Sequence, residues 1–222
     1  MSKIVELFEV GPRDGLQNEP VFIATADKVS LTEGLARVGL PRIECASFVS
    51  PKWVPQMADA AEVVTGITSD LAQLYALAPN VRGLKDALQT PVQGICVFIA
   101  STEGFNRANT NTSLVGAVER VHGLISEFKR TALVNVRLRG YISCVTNCPY
   151  DGDVDPSEVA RLAEVLYGYG CDEVSLGDTT GVARPEQVAR MLDSVVQSVP
   201  AQALAGHFHD TGGRAILNID VS

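Results

Sequence analysis

Apolar and polar positions alternate between two patterns along this chain. Short runs rich in Val, Ile and Phe end in polar clusters: Val5–Val10, Arg42–Ala46, Gln73–Ala78, Gly94–Ala100, Val134–Ile142, Glu173–Leu176 and Ala203–Phe208. Between them apolar residues recur at helical spacing. Leu31, Leu35 and Val38 form one stripe, and Leu114, Val118, Val121, Ile125 and Phe128 a longer one. Val159, Leu162, Ala163 and Leu166 form a third, and Val188, Leu192, Val195 and Val199 a fourth. Asp155-Pro156 followed by Glu158 marks a helix start, with an N-cap, a proline in the first turn and a capping acid. Arg184-Pro185-Glu186 opens another helix and Pro200 stops it, while Gly39, Gly168 and Gly170 fall where helices should end.

Strand and helix thus alternate without the Asn-Gly signal of a hairpin, which predicts a parallel sheet with helical crossovers. The seven strands suit a (β/α)8 TIM barrel that is incomplete after strand 7, read as a single domain over residues 1–222 with strand 8 absent. The Thr211–Ile219 stretch reads as the start of a seventh helix. No Gly-x-Gly-x-x-Gly follows a strand and no Gly-Lys-Ser/Thr occurs, which argues against a dinucleotide fingerprint and a P-loop.

Composition narrows the function. Of 222 residues, 46% are hydrophobic and the formal charge is −8, so nucleic acid and anionic membrane are poor partners. No run of about 18 apolar residues is present, and the N-terminus lacks the pattern of a signal peptide. A cytoplasmic location is the expectation. Five scattered cysteines suit reduced thiols, and Cys144 and Cys148 lack the second pair that a structural zinc site requires.

Polar residues cluster after the strands, where such barrels carry their chemistry. His207-x-His209 places two imidazoles on one side of a strand, and a carboxylate such as Asp14 could complete a facial metal set. The plainer alternative is two strand-end histidines bonded to backbone. Arg13, beside Asp14, is either half of a salt bridge or a fixed cation for a developing oxyanion. Glu44, inside an apolar strand, must be paired or placed for chemistry. Asp178 is a helix cap or a site carboxylate, and His122, on an amphipathic helix, reads as a surface or packing residue. Lys52, Arg82, Lys85 and Arg107 are candidate cations for an anionic ligand or plain surface charges, and none is assigned.

These blocks resemble a known family. Val10–Glu19 (Val-Gly-Pro-Arg-Asp-Gly-Leu-Gln-Asn-Glu) and Ser47–Asp59 (opening Ser-Phe-Val-Ser-Pro-Lys-Trp) are similar to signatures of the 3-hydroxy-3-methylglutaryl-CoA (HMG-CoA) lyases. So are Ala78–Asn80, Ser101–Phe105, Arg139–Cys144 with Cys148–Tyr150, Ser175–Thr179 and His207–Thr211, in the family's order. The resemblance implies metal-dependent cleavage of (S)-HMG-CoA to acetyl-CoA and acetoacetate, as in leucine degradation. It implies Mg²⁺ or Mn²⁺ held by Asp14, His207 and His209. Arg13 would stabilise the acetyl-CoA enolate and bind substrate, Gln17 would position substrate, and Glu44 and Asp178 would assist proton traffic. An acyl-CoA is the implied partner, and the resemblance allows a homodimer. The family's Cys-Pro loop and fourth metal ligand, an Asn, belong after strand 7. The alternatives are a catalytically impaired fragment and a related lyase acting on another 3-hydroxyacyl-CoA.

Overall fold

The computed structural model describes residues 5–131 and 135–222, which fall into two compact units. The first comprises residues up to 96 together with 131–137, and the second comprises 97–130 and 138–222.

In the first unit β1 (Phe8–Glu9), β2 (Arg42–Ser47), β3 (Gln73–Leu77) and β4 (Gly94–Ala100, which runs on into the second unit) are parallel neighbours in chain order. Helices α1 (Thr25–Arg37), α2 (Ala60–Gly66) and α3 (Val81–Ala87) supply the crossovers. Ile43, Cys45, Leu74, Tyr75, Ala76, Ile95 and Cys96 are all buried. Adjacent strand residues point to opposite faces, so both faces of this sheet are covered; β3 and β4 read as near-continuous apolar runs, while β2 carries Arg42, Glu44 and Ser47. The β2–β3 register slips between Glu44 and Ala46. Such irregularities re-aim side chains and are over-represented beside active sites.

Two expectations fail here. The first strand, expected over Val5–Val10, pairs only at Phe8 and Glu9, and Val5 and Leu7 are exposed. The α1 stripe is also on the wrong face. Leu31 and Val38 are 41% and 78% exposed, and the buried face consists of Lys28, Thr32 and Ala36. Lys28 is buried because its ammonium is matched: it donates to Asp59 Oδ1 at 2.6 Å and to the Gln56 carbonyl. Thr32 in turn donates to the Lys28 carbonyl at 2.9 Å. Pairing removes the desolvation cost that makes a buried charge improbable from sequence.

In the second unit α4 (Glu103–Thr110) and α5 (Leu114–Arg130) precede β5 (Arg137–Ser143, whose first residue belongs to the first unit). The strand expected from Val134 begins instead at Arg137, and Val134 itself lies outside the described residues. A short antiparallel hairpin follows, β6 (Asn147–Cys148) with β7 (Gly152–Asp153), a feature without an Asn-Gly signal. Then come α6 (Pro156–Gly168), β8 (Glu173–Asp178), α7 (Pro185–Val195), β9 (Leu204–Phe208) and α8 (Ala215–Asp220). β5, β8 and β9 are parallel, with Tyr141 opposite Ser175, Ser175 opposite Ala205, and Gly177 opposite His207.

The expected helix starts form, but Glu158 pairs with Arg161 instead of closing a capping box, and α7 ends at Val195, before Pro200 is reached. Asp155 accepts the Ser157 amide, and Val159, Leu162, Ala163 and Leu166 of α6 are buried. Val188, Met191 and Val195 bury the inner face of α7, with Leu192 on its margin. Gly39 and Gly170 follow α1 and α6 in left-handed conformations. Among the described residues, four parallel strands of the first unit and three of the second alternate with helices along the chain, and no helix is long and apolar enough to cross a membrane.

Candidate active site

In the first unit the chain leaves β1 in one π-helical turn, Gly11–Gly15, continued by a 3-10 turn, Leu16–Asn18. The amides of Arg13 and Asp14 both donate to the Val10 carbonyl, at 3.1 and 2.6 Å. Gly11 enters this turn with its amide on Glu9 Oε1 at 2.6 Å, and a Cβ at Gly11 would lie 2.8 Å from that oxygen.

This turn assembles Arg13, Asp14, Gln17 and Glu44. Arg13 donates from Nε to Glu44 Oε2 at 2.7 Å and from a terminal nitrogen to Asp14 Oδ1 at 2.9 Å. Gln17 donates its amide to the same Asp14 oxygen at 2.9 Å, and Asn18 donates to the Asp14 carbonyl at 3.3 Å. Glu44 is 0% exposed, and its Oε1 has no hydrogen-bond partner among the described residues. A buried carboxylate oxygen without a donor is unusual. Arg13 is therefore an ion-paired residue, and the pairing also fixes its position. One guanidinium against two carboxylates leaves this cluster an excess negative charge that suits a divalent cation.

In the second unit His207 is the last residue but one of β9 and His209 lies two residues on, so both rings share a side. Their Nε2 atoms are 3.0 Å apart, and the ring centroids are separated by 4.8 Å at 72°. His209 Nδ1 lies 3.0 Å from the Thr179 carbonyl. A carbonyl only accepts, so Nδ1 carries the proton and the Nε2 of the neutral ring presents a lone pair. Two ligands at about 2.1 Å and about 90° on an octahedral ion are separated by about 3.0 Å, which is the spacing of the two nitrogens. The donor set fits a divalent ion.

The loop after β8 supports these rings. Thr179 uses its hydroxyl to accept the Cys144 amide at 2.9 Å, while its carbonyl holds His209. Cys144 has φ +63°, a strained conformation for a non-glycine residue, and Ser101 donates to its carbonyl at 2.7 Å. Gly181 has φ +67°, and a Cβ there would lie 2.9 Å from His209 Cβ. Asp178 is buried, accepts the Ala183 amide at 3.1 Å, and lies 3.4 Å from the hydroxyls of Thr146 and Thr180. It shapes this loop, and Arg184 caps α7 in its place.

Other residues are structural. His122 is exposed and tilts against Tyr169 at 4.5 Å. The five cysteines are buried thiols. Burial pushes Cys45, Cys144 and Cys171 up to about 12, far from a nucleophilic thiolate.

The HMGL-like family model matches residues 4–221. A Pseudomonas aeruginosa protein named 3-hydroxy-3-isohexenylglutaryl-CoA/hydroxy-methylglutaryl-CoA lyase is 50% identical over 100% of this chain and 73% of its own length. The chain belongs to the HMG-CoA lyase family. The crystal structure of the HMG-CoA lyase from Brucella melitensis matches with a TM-score of 0.92 at 48% identity, over 98% of this chain and 77% of that one. An Acinetobacter baumannii HMG-CoA lyase in complex with coenzyme A and 3-methylmalate matches with a TM-score of 0.92 at 30% identity, over 100% of this chain and 72% of that one. The strand–helix alternation is that of the family's TIM barrel, seven units of which lie in these 222 residues. The chain spans between 47% and 73% of the length of the curated HMG-CoA lyases compared with it.

Sequence reasoning missed Thr179. Its signal was only its place after Asp178, because the role belongs mainly to a backbone carbonyl that any residue supplies.

Proposed function

We propose that this chain cleaves (S)-3-hydroxy-3-methylglutaryl-CoA to acetyl-CoA and acetoacetate. Asp14, His207 and His209 would hold the divalent ion, Mg²⁺ or Mn²⁺, offering one carboxylate oxygen and two imidazole nitrogens. The observation that carries the reading is the opposed Nε2 pair at 3.0 Å, with His209 oriented by Thr179, in a chain of this family.

When bound, the ion supplies Lewis acidity that makes the tertiary hydroxyl of the substrate easier to deprotonate. A base of the site takes the hydroxyl proton, the C3 oxygen becomes the ketone of acetoacetate as the bond between C2 and C3 breaks, and the electron pair of that bond moves onto the thioester as an enolate, which regains a proton at C2 to give acetyl-CoA. Arg13 places positive charge at the enolate oxygen, and Glu44 prevents its guanidinium from turning away. Glu44 Oε1, buried and unmatched, accepts or holds a proton during transfer. Asp178 relays protons through the Thr146 and Thr180 hydroxyls. Gln17, its amide nitrogen committed to Asp14, offers its carbonyl oxygen to substrate. The acyl-CoA is the partner, and we place the protein in the cytoplasm, in leucine degradation.

The test is acetoacetate release from HMG-CoA by the 222-residue chain, with Mn²⁺ and then with a chelator. Release that the chelator abolishes supports the reading, and a folded chain that releases none overturns it. Because the Pseudomonas relative is also named for an isohexenyl substrate, a longer branched 3-hydroxyglutaryl-CoA belongs in the same assay.

A further inference from the structure

The turn that carries Arg13, Asp14 and Gln17 hangs between two anchors. Its leading anchor is the two-residue strand β1. Its trailing segment, residues 19–24, has no helix or strand of its own to satisfy its backbone. A single side chain does so instead. Gln56, in the 3-10 turn Pro55–Met57, accepts the Ile23 amide at 2.9 Å and donates to the carbonyls of Val21 at 2.9 Å and Glu19 at 3.2 Å.

Gln56 is itself buried and held. Its carbonyl accepts from the Lys28 ammonium, which also binds Asp59 Oδ1 at 2.6 Å, and Asp59 accepts the Thr25 hydroxyl at 2.8 Å. Lys28 lies over the Phe22 ring at 4.4 Å. One amide thus engages three backbone groups spread over five residues, all more than thirty positions away in sequence. The far end of that segment, Glu19, donates back to the Leu16 carbonyl at 3.0 Å, and Leu16 donates into the turn that holds Asp14.

We propose that Gln56 is a positioning residue: by clamping Glu19–Ile23 it holds the turn bearing Arg13, Asp14 and Gln17 in place for metal and substrate. The metal part rests on the ligand set proposed above. A partner bonded directly to a ligand typically changes metal affinity about tenfold or more when removed; Gln56 acts further back, through the backbone of Glu19 and Leu16, so its effect should be smaller.

The test compares the wild-type chain, Gln56→Ala, Gln56→Glu and, as a control that loosens the fold elsewhere, Val188→Ala in α7. Mn²⁺ binding is read from the signal of free ion by electron paramagnetic resonance, and amide exchange by mass spectrometry. Both Gln56 variants should bind Mn²⁺ more weakly, by less than the roughly tenfold of a group bonded directly to a ligand, and exchange faster at Asp14, Leu16 and Glu19, while Val188→Ala changes neither. Exchange that accelerates at Ile23 alone, with Asp14 and Leu16 unchanged, overturns the proposal. If the wild-type chain binds no Mn²⁺, the ligand assignment falls and the exchange at Asp14 and Leu16 decides the clamp by itself.

Discussion

His209 points its Nδ1 at the Thr179 carbonyl, 3.0 Å away, and this bond leaves its Nε2 to face His207 Nε2 at 3.0 Å. A neutral pair in this position must share a proton, whereas a cation accepts both lone pairs at once. His207→Ala or His209→Ala should therefore lower Mn²⁺ affinity by about two orders of magnitude or more, since each removes a ligand rather than a supporting group. Isothermal titration with Mn²⁺ reads this directly. Affinity within a few-fold of wild type in both variants would remove the histidines from the ligand set.

Gly181 tests how the neighbouring loop sets the His209 position. Alanine there suffers twice: φ is +67°, and its Cβ would meet His209 Cβ at 2.9 Å and Thr211 Oγ1 at 2.7 Å. Gly213 also has φ +67° but nothing within 4 Å of a built Cβ. Left-handed backbone costs a non-glycine residue about 1–2 kcal/mol, so urea unfolding of Gly213→Ala reports that strain alone. Gly181→Ala should lose more stability than Gly213→Ala and should also weaken Mn²⁺ binding. Equal losses with unchanged binding would show that the loop has room to move.

The Glu44–Arg13 pair separates structure from chemistry. Both side chains are buried, and Arg13 approaches Glu44 Oε2 through two nitrogens at 2.7 Å. Removing one partner of a buried ion pair leaves the other unmatched, at a cost of about 3–5 kcal/mol. Asp14 still faces Arg13, so Glu44→Ala should fall near the lower end, about 3 kcal/mol in urea unfolding. Glu44→Gln retains an oxygen for Arg13 and should cost distinctly less. Both should lose acetoacetate release to a similar extent, because neither carries the carboxylate. A Glu44→Gln variant with wild-type kcat would show that the residue is only a brace.

The parts of this fold that are legible in sequence are those decided by neighbours along the chain. β2, β3 and β4 begin where their apolar runs begin, and α6 starts at its Asp155 cap. The Arg13-Asp14 and His207-x-His209 clusters were visible as polar residues ending apolar strands. The parts not legible depend on partners distant in sequence. Lys28 is buried because Asp59 and the Gln56 carbonyl meet it, and no hydropathy pattern contains that information. The β6–β7 hairpin rests on Asp151 accepting the Gly104 amide at 2.7 Å and on Thr102 donating to Cys148 Sγ at 3.0 Å, across more than forty residues. β1 shrank to two residues because pairing, not composition, ends a strand.

The thiols make the alkaline limit of the fold predictable. Cys45, Cys144 and Cys171 are pushed up to about 12 from an ordinary 9.0, in each case chiefly by burial. In the unfolded chain they ionise near 9.0, whereas in the folded chain they stay protonated to about 12. Above the unfolded value the unfolded state therefore releases protons that the folded state retains, and stability falls with rising pH. The contribution is intact below pH 9.0 and is lost as pH climbs toward about 12. Thermal midpoints recorded between those limits should fall steadily, and Cys171→Ala should flatten the slope. Iodoacetamide at neutral pH should label none of the three in the folded chain and all of them in urea. Rapid labelling of Cys144 under native conditions would mean that its strained turn opens far more readily than its bonds to Thr179 and Ser101 allow.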